Sequence, residues 1–226
     1  MSQRVTVITG ASGVLGRAVA DAALARGDLV AAIDFGAVER PDDAAWIGLG
    51  GVDLTDPAAA QAAMDAVAER FGRIDGLLNI AGGFVWQMTE GPLDGWNRMH
   101  RMNLETALNA CRAALPHLSR VSQGRIVNVG AWGAVQARAG MGAYAASKAS
   151  VHRLTESLAE ETKGTGLTVN AVLPSIIDTP ANRADMPDAD AATWVRPAEL
   201  AAVMLFLASD AASAVTGALV PVRGRV

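Results

Sequence analysis

One feature constrains the fold of this chain more than any other. Short β-branched runs alternate with alanine-rich stretches of helical period, from one end of the sequence to the other. Val5–Thr9 reads as a strand, followed by a glycine turn and a helix near Val14–Arg26. Leu29–Asp34 reads as the second strand, and a weak third is expected near Gly51–Asp53, ahead of a helix from Pro57 to about Phe71. Gly76–Ile80 and Arg125–Val129 are the fourth and fifth strands, with one helical stretch from about Leu93 to Leu115 between them. A long helix near Tyr144–Lys163 precedes the sixth strand, Leu167–Leu173. A proline-marked loop from Pro174 to Pro197, a helix near Ala198–Ala208 and a strand near Ala218–Val222 complete the pattern. Strands joined by helical crossovers must run parallel and bury both faces. The expectation is a single-domain α/β protein over residues 1–226, with a Rossmann-type doubly wound parallel sheet and helices on both faces.

Composition excludes several function classes. With 51% apolar and 19% charged residues the chain can bury a large core and does not read as disordered. No apolar run approaches the ~18 residues of a membrane span. The net charge of −4, with Lys and Arg scattered, gives no footprint for nucleic acid or a membrane surface. The lone Cys111 cannot form an internal disulfide, and the first residues pass straight into the strand at Val5 without a signal-peptide pattern. Both point to a cytoplasmic protein. His100, His117 and His152 have no ligand spacing with one another or with Cys111, so no metal site is expected.

In such sheets, ligands sit beyond the carboxyl ends of the strands. The first strand ends in Thr9-Gly-Ala-Ser-Gly-Val-Leu-Gly16. Gly10, Gly13 and Gly16 form a tight turn that aims a helix N-terminus at an anion, and Ser12, Val14 and Leu15 complete it. Asp34, 18 residues beyond Gly16, stands where a carboxylate accepts from a ribose diol and repels a 2′-phosphate. It favours NAD(H), while the nearby Arg40 leaves NADP(H) open. Asp53 could meet an adenine amine, with Leu54 as an apolar wall. Tyr144-Ala-Ala-Ser-Lys148 puts a phenol and an ammonium on one helix face, where the cation would draw the phenol pKa down toward the working range.

These pieces, together with Asp53-Leu54, Asn79-Ile-Ala-Gly82, Asn103 and Pro174 through Thr179, resemble the short-chain dehydrogenase/reductases over nearly the whole chain. The resemblance implies an NAD(P)-dependent oxidoreductase that is commonly a homo-dimer or homo-tetramer. It implies Tyr144 as general acid/base, and Lys148 as the group that holds the nicotinamide ribose. Asn103 would hold a water, Asn79, Ala81 and Gly82 would line the cofactor, and Pro174, Ile177 and Thr179 would meet its carboxamide.

Two departures stand out. The turn is TGxxGxxG where most members have TGxxxGxG, and the serine expected thirteen residues before the tyrosine is Ala131, in Val129-Gly-Ala-Trp-Gly133. Alanine offers no donor to a developing oxyanion, a contribution often worth about 3 kcal/mol. The quinonoid dihydropteridine reductase branch also carries alanine there. The likeness to that branch and to related bacterial reductases extends through Gly140-Met-Gly-Ala-Tyr144, Val151-His152 and Asp178 through Trp194. A small substrate, aromatic or pterin-like, is therefore expected, with Trp86, Ala131, Trp132 and Trp194 around it. A carbonyl or 3-oxoacyl reductase with another polarising group, and a dinucleotide-binding sensor with little turnover, stay open. His152 reads as structural.

Overall fold

The computed structural model describes residues 3–226. Seven parallel strands form one sheet: β1 (Val5–Thr9), β2 (Leu29–Ile33), β3 (Trp46–Leu49), β4 (Gly76–Asn79), β5 (Arg125–Val129), β6 (Thr168–Pro174) and β7 (Leu219–Val222). Their spatial order is β3-β2-β1-β4-β5-β6-β7. The chain enters at β1, winds outward to β3, and returns to β4 on the other side of β1. The order therefore reverses between β1 and β4, and a crevice opens above that pair.

The faces of the sheet are sorted by strand alternation. Val7, Leu77, Ile126 and Val169 point to one side, beneath α2 (Pro57–Phe71), α4 (Thr106–Leu118) and α5 (Gly142–Glu161). Ile8, Leu78, Val127 and Val172 point to the other, beneath α1 (Val14–Ala25) and α7 (Pro197–Leu207). Asp56 caps α2 by accepting from the Ala58 amide, and Pro57 fills a first-turn position where no helical N–H is needed.

Three expectations are corrected. The third strand is Trp46–Leu49, because Trp46 is buried and pairs with Val30, whereas Gly51 adopts φ +74 and cannot continue an extended strand. Asp53 thus lies in the approach to α2 rather than at a strand end. The expected helix from Leu93 is broken in register: α3 (Leu93–Met99) passes through a π-helical turn, His100–Glu105, into α4. Finally, the loop after β6 is not structureless. It contains α6 (Pro180–Asp185) and a 3₁₀ turn at Ala191–Thr193.

Candidate active site

The switch point is riveted by Thr9, whose hydroxyl accepts from the amides of Ile80 (3.0 Å) and Ala81 (3.1 Å). Gly10 then turns with φ +65, and a Cβ there would lie 2.8 Å from the Ala81 nitrogen. At Gly16 a Cβ would lie 2.1 Å from the Gly10 carbonyl oxygen. Only glycine fits either position. The helix that follows has no side-chain cap and no acidic residue in its first turn. Its first amides, at Val14, Leu15 and Gly16, therefore have no partner within the helix, and they fit the pyrophosphate of a dinucleotide.

Asp34 joins this turn to the end of β2, accepting from the Ser12 amide and the Gly36 amide, each at 2.8 Å. The Ser12 hydroxyl is turned toward the β2 loop, where it donates to Ala37 O (2.8 Å). Arg40 is paired with Asp43 at 2.9 Å and stacked 4.8 Å over Trp46. Asp53 accepts from the amide and hydroxyl of Thr55, which hold its carboxyl below the usual range. Leu54 is not an exposed wall but part of the core, because α2 and α4 close over it.

Tyr144 and Lys148 come from the first turns of α5. The Lys148 ammonium donates to Val129 O at 2.7 Å, and burial pulls its pKa down to about 8. Tyr144 meets the edge of Phe84 with ring centroids 5.0 Å apart, and burial pushes its phenol up to about 12. The phenol pKa expected to fall thus rises in this arrangement. Desolvation sets it, and the lysine charge is directed at the β5 carbonyl.

Asn103 sits in the π-helical turn and is 1% exposed. Its Oδ1 accepts from the Gly83 amide (2.9 Å), and its Nδ2 donates to Gly83 O (3.1 Å) and Ser147 Oγ (2.9 Å). Ser147 in turn donates to Tyr144 O at 2.7 Å. A Cβ on Gly82 would lie 2.5 Å from Asn103 Oδ1 and 3.3 Å from Lys148 Nζ, so the Ala81–Gly83 loop, the π turn and α5 converge on one point. The Asn103 side chain is a brace between them, with its donors and acceptor committed to protein partners. Asn79 also differs from expectation. Its side chain is buried, donating to Asn128 Oδ1 (2.9 Å) and to Cys111 Sγ (3.3 Å), so it is turned into the protein interior.

Ala131 ends the fifth-strand run in extended conformation, 3% exposed, and its amide donates to His152 Nε2 at 3.3 Å. Trp132 follows, half-buried under the Arg223 guanidinium, which stacks 4.4 Å from its ring centre. Trp86 is 62% exposed and lies against Gly140, the φ +75 residue just before α5. Trp194, by contrast, is buried under the late loop and against the C-terminal segment. It borders a separate 1090 Å³ cleft toward α7, lined by Asp178, Arg183 and Arg196 and containing neither Tyr144 nor Ala131. The bridge between Ile177 and Val195 draws the loop inward and carries Trp194 with it. Pro174 ends β6, and Thr179 caps α6 by accepting from the Asn182 amide (3.2 Å). Phe84, Ser147 and His152 are the site residues that sequence reasoning left out. Phe84 could have been found from its position two residues beyond Gly82, in the loop that follows β4.

Among the described residues no three His, Cys, Asp or Glu side chains are grouped to hold a metal, and no helix is long and apolar enough to cross a membrane. A family model described as short chain dehydrogenase matches residues 4–190. The 2-(R)-hydroxypropyl-CoM dehydrogenase of Xanthobacter autotrophicus is 33% identical over 98% of this chain and 97% of its own. The meso-2,3-butanediol dehydrogenase of Serratia marcescens is 35% identical over 98% and 93%. The ligand-free aldohexose dehydrogenase of Thermoplasma acidophilum superposes with a TM-score of 0.88 at 28% identity, covering 99% of this chain and 93% of that one. A glycine-cradled helix end at the sheet's switch point and a Tyr-Lys-Asn cluster beside it are thus found in a chain whose likeness to these enzymes spans nearly its full length. This chain is an oxidoreductase and belongs to the short-chain dehydrogenase family.

Proposed function

We propose that this oxidoreductase is an NADH-dependent reductase of a small, flat substrate whose reduction creates no oxyanion, a quinonoid dihydropterin being the type. The observation that carries the reading is Ala131. Its side chain has no donor, and its amide is already given to His152. A ketone reduced here would develop charge on oxygen without that support, losing a factor of about 10² to 10³. A ring nitrogen that simply takes up a proton would lose much less.

The nicotinamide of a bound dinucleotide would supply the hydride. The chain's own part is to orient and to move a proton. The first-turn amides of α1 would hold the pyrophosphate, and Asp34 the adenosine ribose. A phenol with its pKa near 12 stays protonated at neutral pH, which suits Tyr144 as the proton donor of a reduction better than as the base of an oxidation. Lys148 would hold the nicotinamide ribose while fixing the end of β5. Phe84, Trp86 and Trp132 offer aromatic faces to a flat ring. Self-association through α5, with Ala146, Ala149, Ser150 and Arg153 on its outer side, completes the reading.

The test is a panel with NADH on the unmodified protein: quinonoid dihydropterin, an unactivated ketone, a quinone and a 3-oxoacyl thioester. Fast pterin turnover and slow ketone turnover are expected. Ala131→Ser should raise ketone reduction about tenfold. Fast reduction of the ketone by the unmodified protein would instead make it a carbonyl reductase with another donor. Binding of NADH without turnover of any compound would leave a sensor.

A further inference from the structure

The N–H of Gly130 donates to Val172 O of β6 at 2.9 Å. In an extended strand successive residues direct their polar groups to opposite edges. The carbonyl of Val129 and the amide of Ala131 therefore face away from β6, toward the edge where β4 runs. That neighbour has already stopped, since pairing between β4 and β5 ends at Asn79 with Asn128. A carbonyl and an amide at the buried end of β5 would be left without partners, a situation folded proteins avoid.

Two side chains from one face of α5, four residues apart, meet them. Lys148 Nζ donates to Val129 O at 2.7 Å, and His152 Nε2 accepts from the Ala131 amide at 3.3 Å. Between those bonds lies Gly130, and its hydrogen is required. A Cβ would stand 2.5 Å from His152 Nε2 and 2.6 Å from Cδ2, so the imidazole packs directly on the glycine backbone. His152 is 3% exposed.

We propose that His152 is a positioning residue of the active site: its imidazole stands in for the missing neighbouring strand, fixes the Ala131 amide, and registers the substrate-side end of β5 against the helix that carries Tyr144. The proposal rests on the reading of Tyr144 and Lys148 as the reactive centre. It accounts for three residues together, Gly130, Ala131 and His152, which the cofactor motifs leave unexplained. The ring must accept at Nε2, so it is neutral in its working form. Burial, followed by the charges of Arg153 and Lys148, pulls its pKa down to about 4, which keeps it neutral at ordinary pH. The role differs from that of Lys148 in what it holds, because the lysine fixes the strand before Gly130 and the histidine fixes the segment after it.

The experiment compares His152→Met, which keeps volume and removes the acceptor, with His152→Gln, whose amide oxygen reaches about as far as Nε2. Each is read by the ¹H–¹⁵N shift and hydrogen exchange of the Ala131 amide, by NADH affinity, and by kcat and KM on whichever panel compound the unmodified protein reduces fastest. In His152→Met the amide should shift and exchange at least about tenfold faster. Its kcat should fall about tenfold, with NADH affinity and KM within about twofold. His152→Gln should recover most of both. An unmoved amide, or equal loss of kcat in Met and Gln, would overturn the role of His152 alone. Tyr144→Phe is run beside them: retained activity there would overturn the reactive centre, and the role of His152 in it.

Discussion

In the function proposed above, Asp34 is the carboxylate that sets cofactor choice. It already accepts from two backbone amides, one on the glycine turn and one on the β2 loop, so it holds the turn's shape, and in the proposed reading it would also meet a ribose. NADH should therefore bind more tightly than NADPH, and Asp34→Ala should weaken NADH about tenfold or more while erasing the preference, as read by fluorescence titration. Tighter binding of NADPH by the unmodified protein would count against the assignment. Arg40 gives little help to a 2′-phosphate while it is paired with Asp43 and stacked on Trp46. A second expectation concerns pH. Tyr144 stays protonated to about 12, whereas the ammonium of Lys148 is lost near 8, so the rate of reduction should be level from pH 6 to about 8 and decline above it. A rate that climbs through pH 8 would mean that neutral lysine is the working form. Tyr144→Phe should abolish turnover and leave NADH affinity unchanged. At this scale the sequence was informative where a residue type is dictated by steric need, as at Gly10 and Gly16. It was silent on which way a side chain turns. Nothing in the order of residues says that Ser12 donates to Ala37, or that Trp194 is drawn under its loop while Phe84 faces the tyrosine.

Among the elements, β5 is held at both ends by side chains acting on backbone. At its upper end stand Lys148 and His152; at its lower end, Arg125. The Arg125 side chain is fully buried and donates to the carbonyls of Gly124 (2.8 Å), Gly166 (3.0 Å) and Ser209 (3.2 Å), gathering three loops beneath the sheet. Burial lowers its pKa, and the nearby Arg4 adds to the effect. Arg125→Met should cost about 2 to 4 kcal/mol in a denaturant melt, because the carbonyls lose their donors in a buried setting. NADH affinity should be nearly unchanged, since the proposed cofactor site lies at the opposite end of the strand. The helices were legible from their periodicity to within about two residues in most cases. The π-helical turn at His100–Glu105 was not, because a single widened turn barely disturbs a 3.6-residue pattern. The third strand was misread because Trp46-Ile-Gly-Leu49 is short and glycine-containing, and only its partner Val30–Ile33 identifies it as strand.

For the whole molecule, two separate hydrophobic layers lie on either side of one sheet, and the candidate site residues collect along the carboxyl ends of its strands. Self-association through α5 would bury the outer face of the helix that carries Tyr144. Light scattering at micromolar concentration should then give a mass at least twice the 23.3 kDa of one chain, and a value equal to one chain would rule it out. The division of the molecule bears on how such an enzyme changes over generations. The residues that the proposed function places around a substrate, Phe84, Trp86 and Trp132, belong to two partly or fully exposed segments that contribute little to either layer. Mutations accumulating there can retune what is reduced while the melting temperature stays level. The lower rim and the two layers have no such latitude. A library restricted to those two segments should yield many folded variants of altered preference, whereas one of equal size spread over β4 and β5 should yield few that fold.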